Sequence, residues 1–102
     1  IEAGAFVHPT RVPQMAGSDD VCRLSLHDDV VQDRGVQLSA LVPNLRGLER
    51  ARAAGLEHVA VFPAASESFS RRNLNQSVDD ALRSAAAVCA EARHHGIRVR
   101  GY

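Results

Sequence analysis

The run VQLSALVPNLRGLERARAAGLEHVAVFP, residues 36–63, decides the fold. Its opening part, VQLSALVPN over 36–44, reads as a strand ended by Pro43, because proline brings no amide proton to a sheet ladder. Asn44 stands just past the strand's carboxyl end. LRGLERARAAG then predicts a helix from Leu45 to Ala54, with Leu45, Leu48 and Arg52 on related turns and Gly55 as the C-terminal stop. HVAVF, residues 58–62, is too apolar and β-branched for a solvated element and reads as a buried strand closed by Pro63. Strand, helix and strand follow one another through short connections.

Working outward, IEAGAFV at 1–7 is a short extended stretch that leads into the loop HPTRVPQMAG. Pro9 and Pro13 forbid a continuous helix or a central strand there, so the loop is rigid and surface-exposed. Ser18 or Asp19 caps a predicted helix over 20–32, with Val21, Leu24 and Val31 as its apolar stripe and the acidic pair Asp28 and Asp29 interrupting it. Downstream, PAASESFSRRNLNQS reads as a long polar loop. Ser77 followed by Asp80 starts a helix from Val78 to about His94, whose apolar positions are Val78, Leu82, Ala85, Ala86, Cys89 and Ala92. Gly96 ends it, and IRVRG opens another strand.

Strands and helices therefore alternate without a hairpin signal, which requires parallel strands joined by right-handed crossovers. A doubly wound sheet and a (β/α)₈ barrel both satisfy this order. No GxGxxG fingerprint follows any strand, which lowers the dinucleotide-binding form of the first solution and leaves a flavodoxin-like one open. As a barrel piece the chain supplies about four of eight strands, leaving two open edges and an unfilled interior. Both ends read as cut, for IEAGAF is already strand-like and IRVRGY is a strand lacking its continuation. Such a piece is not expected to be stable alone.

Composition removes several functions. Twelve basic and twelve acidic residues cancel within 102, so no global field draws the chain to nucleic acid or to an anionic membrane. No apolar run approaches the roughly 20 residues of a membrane span, and no charged stretch followed by an apolar one stands in these residues. A soluble protein is expected, cytoplasmic in a prokaryote and in the mitochondrial matrix in a eukaryote. Cys22 and Cys89, far apart in helical segments, read as reduced core thiols.

In either parallel architecture ligands bind at the carboxyl ends of the strands. That rule selects Glu2, Asn44, the loop from Ser66 to Asn75, and Gly101 with Tyr102. Glu2 is near the end of the first strand, where a carboxylate orients a guanidinium, accepts a hydroxyl proton or backs a metal ligand; a salt-bridged surface glutamate is the plain alternative. Asn44 either closes an Asx-turn or bonds a ligand. Glu67, between Ser66 and Ser68, either holds a ligand or satisfies loop backbone. Arg71 and Arg72 with Asn73 and Asn75 form an anion-binding candidate beside a helix N-terminus, set against ordinary solvation. The five histidines lack the spacing of a metal site, and none is assigned as a ligand.

Together, Glu2, FVHPTRVPQMAG, LVPNLRGLERARAAG, VAVFPAASESFSRRNLNQS and IRVRGY resemble the consecutive signature segments of the hydroxymethylglutaryl-CoA lyases, in order and over nearly the whole chain. The resemblance implies a partial (β/α)₈ barrel, with about four parallel strands and three helices in a fragment of one catalytic domain. It also implies cleavage of 3-hydroxy-3-methylglutaryl-CoA to acetyl-CoA and acetoacetate with a divalent cation, Mg²⁺ or Mn²⁺. The family's metal ligands, its catalytic arginine and its loop cysteine lie outside this segment. Glu2 matches the family's active-site glutamate, which positions that arginine. Asn44 matches the asparagine of a TPNLKG-like segment, Arg72 and Asn73 match a Lys-Asn pair near bound CoA, and Glu67 matches the glutamate of an ASE motif in a supporting role. The implied partner is an acyl-CoA substrate, and the full-length enzyme is a possible homodimer.

The chain departs from the family where Ala5 replaces serine, His8 and Arg11 replace serine and tryptophan, and Pro63 replaces glycine. Its 15–44 stretch is longer than in mammalian-type sequences. These differences leave open a related 3-hydroxy-acyl-CoA lyase, a barrel synthase of the same superfamily, against which the FVHPTRVPQMAG run argues, or a truncated acyl-CoA-binding homologue without catalysis.

Overall fold

A computed structural model describes all 102 residues. The strands are β1 (Glu2–Ala5), β2 (Ser39–Leu41), β3 (His58–Val61) and β4 (Arg98–Gly101). The helices are α1 (Ser18–Leu26), α2 (Asp29–Asp33), α3 (Leu45–Ala53), α4 (Glu67–Leu74) and α5 (Val78–His94), with a 3₁₀ turn at Pro13–Met15. All strands are parallel, in the spatial order β1-β2-β3-β4. Strand order never reverses, so the chain contains no switch point of a doubly wound sheet. The architecture is a partial (β/α)₈ barrel.

One face of the sheet is closed by helices. Phe6, Ala40, Val42, Val59 and Val61 pack there with Cys22 of α1, Leu48 and Ala51 of α3, and Val88 and Ala92 of α5. Strand alternation sends Ser39, Leu41, His58, Arg98, Arg100 and Tyr102 to the other, concave face. Ala5 and Ala60 are buried yet stand apart from the helix-side cluster, consistent with that second face.

Punctuation residues act as the sequence indicates at α3 and α5. Asn44 Oδ1 accepts from the Gly47 amide at 3.0 Å, Ser77 Oγ accepts from the Asp80 amide at 3.1 Å, and Gly55 and Gly96 turn the chain with φ of +90° and +70°.

Three expectations are corrected. The helix expected over 20–32 is two helices, because Asp28 Oδ1 caps α2 by accepting from the Val30 and Val31 amides. The buried stripe of α1 is Ser18 and Cys22, leaving Val21 and Leu24 exposed; anchoring of Ser18 on β1 rotates the helix to that phase. In α5 the sheet takes Ala81, Val88 and Ala92, so Leu82 and Cys89 face outward and only Cys22 is a core thiol.

A candidate active site at the carboxyl ends of the strands

The largest correction concerns residues 63–77, which contain α4 in place of a continuous loop. Ser66 Oγ accepts from the Phe69 amide at 3.3 Å to start this helix, and Asn75 ends it in the left-handed region at φ 56°. Glu67, Arg72 and Asn73 are thereby fixed on a helix. Arg71 and Arg72 occupy its last turn, where the helix dipole favours cations and repels anions, so α4 itself offers them no N-terminal anion site. Glu67 is engaged structurally: its Oε1 accepts from the Val78 amide at 3.2 Å, tying α4 to the start of α5, and Arg71 lies 3.7 Å from its other oxygen.

Asn44 and Asn73 line one groove with Val7, His8, Arg11 and Phe62, at the carboxyl ends of β1, β2 and β3. Asn44 spends its carbonyl on the α3 cap, which leaves its amide NH₂ to donate toward that groove. Arg72 and Glu67 do not line it.

Glu2 occupies a different place from the one its strand position implies. It is the first residue of β1, where a carboxyl-terminal location was expected. Following the ladder, Glu2 pairs with Ser39 and His58 with Arg98, so Glu2 shares a row with the start of β4. Barrel strands tilt, however, and a shear of 8 over eight strands displaces the level by about one residue per strand. Over the three steps from β1 to β4 this brings Glu2 level with the end of β4. There the Tyr102 hydroxyl donates to Glu2 Oε2 at 3.3 Å, across the concave face. Oε1 has no partner and is free to accept from a guanidinium or a hydroxyl. Tyr102 is the functional-site neighbour that position alone singled out and chemistry did not.

The carboxyl end of β1 is braced from outside. Arg50 of α3 pairs with Asp19 of α1, donates to the Val7 carbonyl at 3.3 Å and lies 5.2 Å from the centre of the Phe6 ring. The hydrogen bonds that Arg50 donates to Asp19 push the Arg50 pKa up, partly opposed by burial, so the guanidinium stays charged. No three His, Cys, Asp or Glu side chains of this chain converge as a metal site requires, so its own donors do not fit a resident cation.

Every residue of the chain aligns with the hydroxymethylglutaryl-CoA lyase of Pseudomonas mevalonii at 53% identity, covering 32% of that protein. This chain resembles the hydroxymethylglutaryl-CoA lyases throughout. The 3-hydroxy-3-isohexenylglutaryl-CoA/hydroxymethylglutaryl-CoA lyase of Pseudomonas aeruginosa is 50% identical over the same 102 residues, again 32% of its length. The crystal structure of the HMG-CoA lyase from Brucella melitensis superposes with a TM-score of 0.88 at 39% identity, covering all of this chain and 34% of that one. No family model matches. The lyase-like chain thus spans about a third of the curated relatives it matches. No helix in it is long and apolar enough to cross a membrane.

Proposed function

We propose that the protein containing this chain cleaves 3-hydroxy-3-methylglutaryl-CoA to acetyl-CoA and acetoacetate by a cation-assisted retro-aldol reaction. The observation that carries this reading is the Glu2 carboxylate on the open concave face, one oxygen held by Tyr102 and the other free, within a chain similar over its whole length to named lyases. In such a reaction a base removes the substrate's hydroxyl proton, the carbon–carbon bond breaks, and the departing enolate is protonated. A Mg²⁺ or Mn²⁺ ion would polarise the substrate oxygens, bound by residues outside this segment. The chain's own contribution is positional. Glu2 orients a cationic side chain toward the reacting oxygen, while Asn44 and Asn73 offer amides to the polar part of an acyl-CoA lying in their groove.

A second substrate reading has one observation in its favour. The Pseudomonas aeruginosa relative is named for a 3-hydroxy-3-isohexenylglutaryl thioester as well as for the methyl one. A related 3-hydroxy-acyl-CoA with a longer 3-substituent is therefore the alternative.

The test is magnesium-dependent release of acetoacetate from 3-hydroxy-3-methylglutaryl-CoA by the full-length protein and its Glu2→Ala variant. Turnover is expected in the parent, with a loss of about 100-fold in the variant, the scale of a misplaced catalytic group. The 102 residues alone are expected to give none. A metal-loaded parent that turns over only longer-chain analogues selects the alternative, and one that turns over neither overturns the proposal.

A further inference from the structure

The ladder between β1 and β2 contains an irregularity at the residue pair that matters most. Glu2 is opposite Ser39 but Gly4 is opposite Ala40, so β1 uses one more residue than β2 over this step. The hydrogen bonds show where it goes. With Ser39 N–H donating to the Ile1 carbonyl at 2.8 Å, a regular parallel ladder would have the Ala5 amide donate to Leu41. Instead the Phe6 amide takes the Leu41 carbonyl at 2.8 Å, and the displaced Ala5 amide donates to Ser18 Oγ at 3.0 Å. The Ser18 hydroxyl, in a residue 4% exposed, donates in turn to the Met15 carbonyl at 2.9 Å. Space is fixed as tightly as hydrogen bonding, since a Cβ on Gly4 would fall 2.8 Å from Ser18 Oγ and 2.9 Å from its Cβ.

This bulge decides which way Glu2 points. Glu2 and Phe6 are four residues apart, and in a regular strand side chains of the same parity share a face. Phe6 is 2% exposed in the helix-side core, so an unbroken strand would turn Glu2 toward the helices. The extra residue reverses the parity and sends Glu2 to the concave face, where Tyr102 meets it. Without Ser18 the bulge would leave a buried amide unpaired, a cost that favours the regular register. Bulges beside active sites re-aim side chains in this manner.

We infer that Ser18, with the glycine at position 4 that makes room for it, is a positioning residue for the Glu2 carboxylate. It contributes no atom to the substrate and acts by holding the β1 bulge. The inference rests on the proposed lyase reading for its catalytic consequence, and on the geometry alone for its structural one.

The experiment compares Ser18→Ala, Ser18→Thr and Glu2→Ala in the full-length protein, with a crystal structure of Ser18→Ala. The expected result is a kcat lowered about 10- to 100-fold in Ser18→Ala with KM little changed, the range seen when a supporting hydrogen bond to a site residue is removed. Ser18→Thr, which keeps the hydroxyl, is expected to restore most of it, and the Ser18→Ala structure should show Glu2 withdrawn from Tyr102. Loss of turnover in Glu2→Ala with parental kcat in Ser18→Ala overturns the positioning role. Parental turnover in Glu2→Ala breaks the lyase reading of Glu2 instead, and the crystal structure then decides the inference: a bulge and a Glu2–Tyr102 contact that survive in Ser18→Ala overturn it. Should Ser18→Ala fail to fold, Ser18→Cys, of similar size with a weak acceptor, stands in its place under the same outcomes.

Discussion

The two faces of the one sheet follow different rules. On the helix side Ala40, Val42, Val59, Leu48, Ala51 and Val88 are all at 1% exposure or less, an interior with no charged member. On the concave side Glu2, Arg98, Arg100 and Tyr102 are exposed and polar, and neither Arg98 nor Arg100 has an ion-pair partner within the chain. The same strands supply both, one residue apart. The contrast separates where this segment holds itself together from where it offers chemistry, and substitutions on the two faces should therefore fail differently.

The largest effect belongs to the closed face. Leu48→Ala removes a side chain that is 1% exposed in the middle of the α3–sheet contact, and the loss should be about 2–5 kcal/mol of unfolding free energy, the range for buried leucines. Urea unfolding of the full-length protein measures it. Turnover per folded molecule should stay near parental, whereas Glu2→Ala should do the reverse, lowering turnover with little change in the unfolding midpoint. If Leu48→Ala abolishes turnover at parental stability, the separation between the faces is wrong.

Asn44 sits on the border of the two and sharpens the comparison. Its carbonyl oxygen caps α3 while its amide faces the groove shared with Asn73. Asn44→Ala should cost about 1 kcal/mol, as cap removal typically does, and should also raise KM for the acyl-CoA. Asn44→Asp keeps the capping oxygen and removes the donor, so it should recover the stability and not the KM. Recovery of both by Asp would assign Asn44 to the cap alone.

How much of this was legible in the sequence follows from what each feature depends on. β2, α3, β3 and α5 were readable because proline, glycine and capping side chains mark their ends locally. α4 was not, since SESFSRRNLN has little apolar periodicity and its helix is set by Ser66 at one end and a left-handed Asn75 at the other. The phase of α1 was misread because Val21 and Leu24 are the larger apolar residues, yet Ser18's bonds to β1 turn Cys22 inward. Of the candidate site, Asn44 and Asn73 were singled out by their places after strands and by the family resemblance, and Glu2 by that resemblance and by a carboxyl-terminal place on β1 that it does not occupy. The bulge that aims Glu2 depends on the Ser18 hydroxyl, 13 residues along the chain from the Ala5 amide that it binds, and the Tyr102 contact depends on barrel tilt across 100 residues. Neither has a local signal.

The smallest effect probes the closed face through pH. Cys22 is fully buried, and burial, with a smaller contribution from the Asp19 charge, pushes its thiol pKa up. The folded state then holds this proton more firmly than the unfolded chain, whose thiol titrates at about 8.5. The sign follows from proton counting. Below the unfolded pKa both states are protonated and the contribution is complete; above it the unfolded state releases a proton that the folded state retains, so stability falls as pH rises. Unfolding of the parent should lose stability across the alkaline range above the ordinary thiol pKa. Cys22→Ala should be less stable at neutral pH, from the lost packing, and have a shallower alkaline slope. A slope equal in parent and Cys22→Ala would mean that water reaches α1 from the side facing the sheet, and the helix-side core would then be less closed than its packing indicates.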